Sequence, residues 1–139
     1  MTDLPPYAHR ITFGDCDPAG IVFYPNIFRW MDAAFHAALH PLGGHAVICR
    51  ELGAIGLGLL DATCAFQAPM RDGDQVTLHP RIADWGRKSL TVDYQGLVGG
   101  RACFAGREVR GIFVETPQGL VAEPISRLRA IFRDRNRTD

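Results

Sequence analysis

The chain has 139 residues, 47% hydrophobic and 22% charged, enough for one hydrophobic core and not two. Lys plus Arg and Asp plus Glu number 15 each, so the formal charge is zero, which argues against bulk attraction to nucleic acid or an anionic membrane. Cys16, Cys49, Cys64 and Cys103 form no C-x-x-C pair, which predicts free thiols rather than a metal site or a disulfide framework. The opening M-T-D-L-P-P-Y lacks the basic-then-apolar pattern of a signal peptide, and no apolar run reaches the length of a membrane span. The expectation is a cytoplasmic protein.

Residues 9–13 predict a short strand, which leads into F-G-D-C-D-P-A-G-I-V-F-Y-P-N over residues 13–26. This stretch sets Asp15 and Asp17 in a Pro-Ala-Gly turn and then runs apolar into a helix start. From Pro25 onward, Ile27, Trp30, Met31, Ala34, Phe35, Ala38 and Leu42 recur at helical spacing. Pro25 suits the first helical position, and Gly43-Gly44 stops the helix. A shorter helix is predicted over residues 45–52, ending at Gly53.

The period then changes. Residues 57–66, 75–85, 88–97 and 101–115 predict four strands rich in Val, Ile, Thr and aromatics, with a Gly99-Gly100 hairpin between the last two. Turns fall at Arg71-Asp72-Gly73-Asp74 and Trp85-Gly86-Arg87, residues 116–119 close the last strand, and Pro124 starts a terminal helix over about residues 125–133. The basic run Arg127, Arg129, Arg133, Arg135, Arg137 reads as a solvated helix face. One strand, a long helix and an antiparallel meander make an α+β order in a single domain, residues 1–139. A helix so apolar asks for a sheet wrapped around it, and an unpaired sheet edge asks for a second copy.

Asp17 is the candidate for chemistry, since a carboxylate walled by Ile21, Val22, Phe23 and Tyr24 has an altered proton affinity. An aspartate there also serves simply to cap the turn, and spacing alone leaves both readings open. Asp15 is expected to bond turn N–H groups, and the thiol of Cys16, with no histidine beside it, to pack. The helix that starts after Tyr24 presents unpaired N–H groups able to stabilise a developing oxyanion. Arg29, Asp32, His36 and His40 share one helical stripe, as solvated or interface residues do. Ser89 and Ser126 lie outside any G-x-S-x-G, no phosphate loop or dinucleotide fingerprint occurs, and the five histidines lack metal-ligand spacing.

The 13–26 motif, its continuation Y-P-N-I-F-R-W-M-D-A-A and the element order resemble the hotdog-fold acyl-CoA thioesterases, specifically the 4-hydroxybenzoyl-CoA thioesterase type. F-Q-A-P at 66–69 with G-D-Q-V at 73–76, and W-G-R-K-S at 85–89, add to the resemblance. It implies a hotdog fold, a homodimer or homotetramer, and cofactor-independent hydrolysis of an aromatic acyl-CoA to CoA and free acid. It also implies that Asp17 acts on the thioester carbonyl as nucleophile or as base for water, with the backbone N–H of Tyr24 as oxyanion donor. Asp32 would lie near the ring's polar substituent, and Arg87 and Lys88 near the CoA phosphates. His45 stands where the family has a pocket tryptophan, which leaves the acyl group open. Pro25 occupies a position where relatives acting on other acyl groups often carry histidine. Rival readings are a thioesterase for aliphatic or carrier-protein-bound acyl groups, a hotdog dehydratase, for which the motif loop lacks the histidine, and a non-catalytic acyl-CoA-binding module.

Overall fold

The computed structural model describes residues 2–135, and Arg137 lies outside them. Two short strands, β1 (Thr2–Asp3) and β2 (Tyr7–Arg10), precede helix α1 (Pro25–Leu39) and helix α2 (His45–Leu52). Then come β3 (Gly56–Phe66), β4 (Gln75–Trp85), β5 (Leu90–Val98), β6 (Arg101–Thr116), β7 (Gly119–Glu123) and helix α3 (Ser126–Arg135). All seven strands join one antiparallel sheet in the order β1-β4-β5-β6-β3. β2 runs on from β1 along β4, and β7 pairs with the last residues of β6.

α1 buries Ile27, Trp30, Met31, Ala34, Phe35, Ala38 and Leu39, each large side chain contributing about 1.5–3 kcal/mol on removal from water. The buried residues alternate along β5 (Leu90, Val92, Tyr94) and β6 (Phe104, Gly106, Glu108, Arg110, Ile112), as a half-covered sheet requires. Gly106 lets helix and sheet meet: a Cβ there would stand 2.6 Å from the Met31 sulfur. β3 pairs with β6 alone, so its other edge is free among the described residues, and Leu59, Leu60 and Phe66 are exposed on that strand.

The differences from expectation have local causes. The strand expected over residues 9–13 is β2, Tyr7–Arg10, ending before residue 13 because Phe13–Asp15 form a 3-10 turn, with the Thr12 N–H donating to Asp15 Oδ2 at 3.0 Å. α1 ends at Leu39 rather than Leu42, since Pro41 cannot continue an α-helix and His40–Leu42 tighten to 3-10 before Gly43 at φ 118°. β5 starts at Leu90, two residues late, because Gly86 N–H donates to Ser89 O and closes the preceding turn. Residues 116–119 prove to be a hairpin, with Thr116 Oγ1 donating to Gly119 O at 2.7 Å, so the chain returns as the unforeseen β7.

Candidate active site

The acidic turn is held at three points. Asp15 accepts from Thr12 N–H and lies 3.0 Å from His9 Nε2, whose ring packs against Trp30. Burial alone would push the Asp15 carboxyl up; the Thr12 and His9 bonds outweigh it and hold the carboxyl below its ordinary value. Its carbonyl accepts from Phe23 N–H and from Asn26 Nδ2, both at 2.9 Å, tying the turn to the first turn of α1. Val22 N–H donates to Met70 O, which pins the same segment to the strand connection beyond β3.

Asp17 closes an Asx turn, its Oδ1 accepting from Ala19 N–H at 2.9 Å, while Oδ2 engages no described residue. The carboxylate lines a cleft of about 550 Å³ with Ile21, Val22, Ile27, Phe66 and Met70. The apolar wall foreseen for Asp17 is only half built within one chain: Phe23 is 48% and Tyr24 58% exposed. The Tyr24 ring is therefore not core but stands at the surface, edge-on to Phe66. Around the start of α1, Phe23, Asn26 and Ile27 N–H groups all have protein acceptors. That of Tyr24 has none among the described residues. Asp17, with one carboxylate oxygen unpartnered, and Tyr24, with its N–H unpartnered among the described residues, thus both line one apolar cleft, and a carboxylate and a free helix-terminal N–H are the elements needed to attack a carbonyl and hold its oxyanion.

The other expected site residues gather elsewhere. Asp32 lies two turns beyond Tyr24, about 12 Å along the axis at 1.5 Å per residue. Its Oδ1 accepts from Arg110 at 2.8 Å and sits 3.4 Å from His36 Nε2. His36 stacks edge-to-face on His45, and its imidazole is held below the ordinary value, through burial first and then Arg110 and His45, against the opposing pull of Asp32. His45 Nε2 accepts from Leu57 N–H and stands 3.5 Å from Cys49 Sγ. Burial pushes the Cys49 thiol up, so this contact does not make a thiolate nucleophile. Gly111, opposite Gly58 in the sheet, packs against Lys88 O, and Arg87 and Lys88 are exposed in the turn before β5.

One chain therefore splits the set. Asp17 and Tyr24 sit by Phe66, the last residue of β3, whereas Asp32, His45 and Lys88 cluster by Leu57 and Gly58 at its start. Those ends are roughly 30 Å apart as extended strand. Among the described residues Arg29 bonds Asn26 alone, at 3.4 Å, and His40 is exposed. Arg101, with no site role assigned from sequence, donates to Pro69 O at 2.9 Å on the cleft rim. Nothing local announces that contact, since its partner lies 32 residues away. Glu108 and Arg110 were also missed. Their signal is two opposite charges two apart on the inward register of an apolar strand. Among the described residues no His, Cys, Asp or Glu group is arranged to hold a metal ion, and no helix is long and apolar enough to cross a membrane.

The description of the thioesterase superfamily matches residues 19–104. The 4-hydroxybenzoyl-CoA thioesterase of Pseudomonas sp. strain CBS-3 is 39% identical over 85 residues, covering 58% of this chain and 59% of that enzyme's length. The three-dimensional structure of the thioesterase of that name from the same strain superposes with TM-score 0.82 at 27% identity, covering 94% of this chain and 99% of that one. A gentisyl-coenzyme A thioesterase structure is 34% identical with TM-score 0.74, covering 94% of this chain and all of the other. The architecture is thus the hotdog fold of these proteins.

Proposed function

The chain belongs to the thioesterase superfamily, and from that membership we propose that it hydrolyses a hydroxylated aromatic acyl-CoA to CoA and the free acid. The observation that carries this reading is one apolar cleft lined by both Asp17 and Tyr24, whose N–H has no acceptor among the described residues. The carbonyl oxygen of the thioester takes that N–H, and the negative charge that develops on it is stabilised by the helix terminus. Asp17 then either adds to the carbonyl carbon, expelling the CoA thiolate and leaving an anhydride that water opens, or takes the proton of a water that adds to that carbon, after which the C–S bond breaks and the departing CoA thiolate takes the proton from Asp17. Either route restores the carboxylate, and no cofactor is required. The 4-hydroxybenzoyl and gentisyl names of the similar enzymes support an aromatic acyl group with a ring hydroxyl.

A second copy completes the site in this reading, as a homodimer or a homotetramer of the single hotdog domain. Pairing two free β3 edges about a two-fold axis covers Leu59, Leu60 and Phe66 and runs the strands antiparallel. The Phe66 end of one copy then meets the Leu57 end of the other. Asp17 and Tyr24 of one chain would face Asp32 and His45 of its partner, with Arg87 and Lys88 available to the CoA phosphates. Free thiols at all four cysteines suit the cytoplasm.

The test is thiol release from hydroxybenzoyl-, benzoyl-, phenylacetyl- and straight-chain acyl-CoAs. Hydroxybenzoyl-CoA is expected to lead. A profile led by straight-chain esters would move the reading to a general thioesterase, and a melting-temperature shift with no thiol released would make the protein an acyl-CoA binder.

A further inference from the structure

Beneath α1 lies a chain of polar groups that the hydrolytic steps leave unused. Tyr94, 2% exposed, donates its hydroxyl to Glu108 Oε1 at 2.5 Å. Glu108, also in the core, accepts from Arg110 Nε at 3.1 Å and from a terminal nitrogen at 2.9 Å. The Arg110 guanidinium lies 4.2 Å over the Phe35 ring, donates to Leu57 O at 3.2 Å, and reaches Asp32 Oδ1 at 2.8 Å.

Three features give this chain a direction. It starts in the core and ends at the surface: the Arg110 side chain is 3% exposed and that of Asp32 49%. Asp32 Oδ1 accepts from Arg110 and lies 3.4 Å from His36 Nε2, and Oδ2 accepts no hydrogen bond among the described residues. A buried ion pair is also a poor stabiliser, because apolar replacements of like volume often do as well or better. Its use is to fix geometry: Arg110 is held by Glu108, Leu57 O and the Phe35 ring, and it meets the half-exposed Asp32 side chain through Oδ1.

We propose that Arg110, Glu108 and Tyr94 are positioning residues for Asp32, aiming Oδ2 as a fixed acceptor that admits a ring substituent able to donate a hydrogen bond and rejects one that can only accept. This rests on the aromatic-ester reading above. An ionised carboxylate oxygen can only accept, so a hydroxyl pairs with it while a methoxy oxygen repels it. The His45 ring does not compete for that donor, since its Nε2 is spent on Leu57 N–H.

The experiment compares kcat/KM for hydroxybenzoyl-, benzoyl- and methoxybenzoyl-CoA in the wild type, in Asp32→Ala, in the paired variant Glu108→Leu/Arg110→Met, and in Tyr94→Phe. The wild type is expected to favour hydroxybenzoyl over benzoyl by at least tenfold and to place methoxybenzoyl last. The paired variant, which leaves Asp32 unheld, is expected to lose most of that preference, approaching Asp32→Ala. Tyr94→Phe is expected to lose about threefold, and it carries the test alone if the paired variant does not fold. A merely structural role would lower all three substrates together and leave their ratios fixed. A wild-type preference that survives in Tyr94→Phe and in a folded paired variant, while Asp32→Ala abolishes it, overturns the positioning role and leaves the thioesterase reading intact. A wild type that cleaves no aromatic ester overturns both.

Discussion

The acidic turn before α1 and the polar chain beneath its middle are built by opposite means. The turn is made of backbone, from residues close in sequence: Asp17 caps itself through Ala19, and the Tyr24 N–H is the one left without an acceptor among the described residues at the start of α1. The buried chain is made of side chains gathered from α1, β5 and β6, with Arg110 meeting an acid 78 positions away. A site made of backbone tolerates change in its side chains, apart from the reacting group. A site made of buried charges tolerates none singly, because each partner left behind is an unpaired ion.

Substitutions sharpen that contrast, beginning with the largest effect. Asp17→Asn is expected to keep the fold and lose hydrolysis by about a thousandfold or more, roughly 4 kcal/mol of barrier. Single-turnover thiol release checks the rate and urea unfolding the fold; appreciable turnover in this variant would make Asp17 a structural cap. Arg110→Met alone should do the reverse, costing about 3–5 kcal/mol of stability because Glu108 stays buried without its partner. Denaturant midpoints for this variant and for Glu108→Leu/Arg110→Met measure it, and the paired variant should recover most of the loss. An Arg110→Met midpoint equal to that of the wild type would show that Glu108 is not a buried charge.

Smaller effects lie at the edges of the site. Arg87→Ala and Lys88→Ala are each expected to raise KM for CoA esters several-fold while sparing turnover on a short pantetheine thioester, as remote phosphate contacts do. Equal damage to both substrates would remove these residues from CoA recognition. The smallest effect is on pH. His36 in the fold binds its proton less tightly than an ordinary imidazole, so the unfolded chain protonates first. Stability should be full above about pH 6.5, fall as pH drops through that value, and level off below the folded value. The slope should shrink in His36→Gln; an identical slope in that variant would assign the effect to another group.

How much of this the sequence revealed follows from the same contrast. Residues 13–26 carry their own conformation in Asp, Pro and Gly, so the turn, the start of α1 at Pro25 and the candidacy of Asp17 are legible from local chemistry. The strands β3 to β6 fall within two residues of expectation because their apolar pattern is long. β1 and β7 escape because two and five residues give no usable period, and their pairing is decided by β4 and β6. Arg110 reads in isolation as one more surface charge; only the register of β6 turns it inward. The separation of Asp17 from Asp32 escapes for a similar reason, since both lie within the same resembling segment and only the run of β3 shows which end each occupies.

The solitary pairing of β3 also has a consequence in time. Gly56 meets Phe113 and Phe66 meets Phe104, so the strand leaves the ribosome well before any residue that can hydrogen-bond it. At about 5–20 residues per second, its first residue waits roughly 3–10 seconds for a partner. Through that interval β3 has two open edges and carries Leu59, Leu60 and Phe66 unshielded. On a crowded message, a neighbouring nascent chain that is also past residue 66 and short of residue 113 displays the same strand. Synthesis thus exposes this segment to its own likeness before β6 arrives, and the speed of translation across residues 67–113 sets how long that exposure lasts.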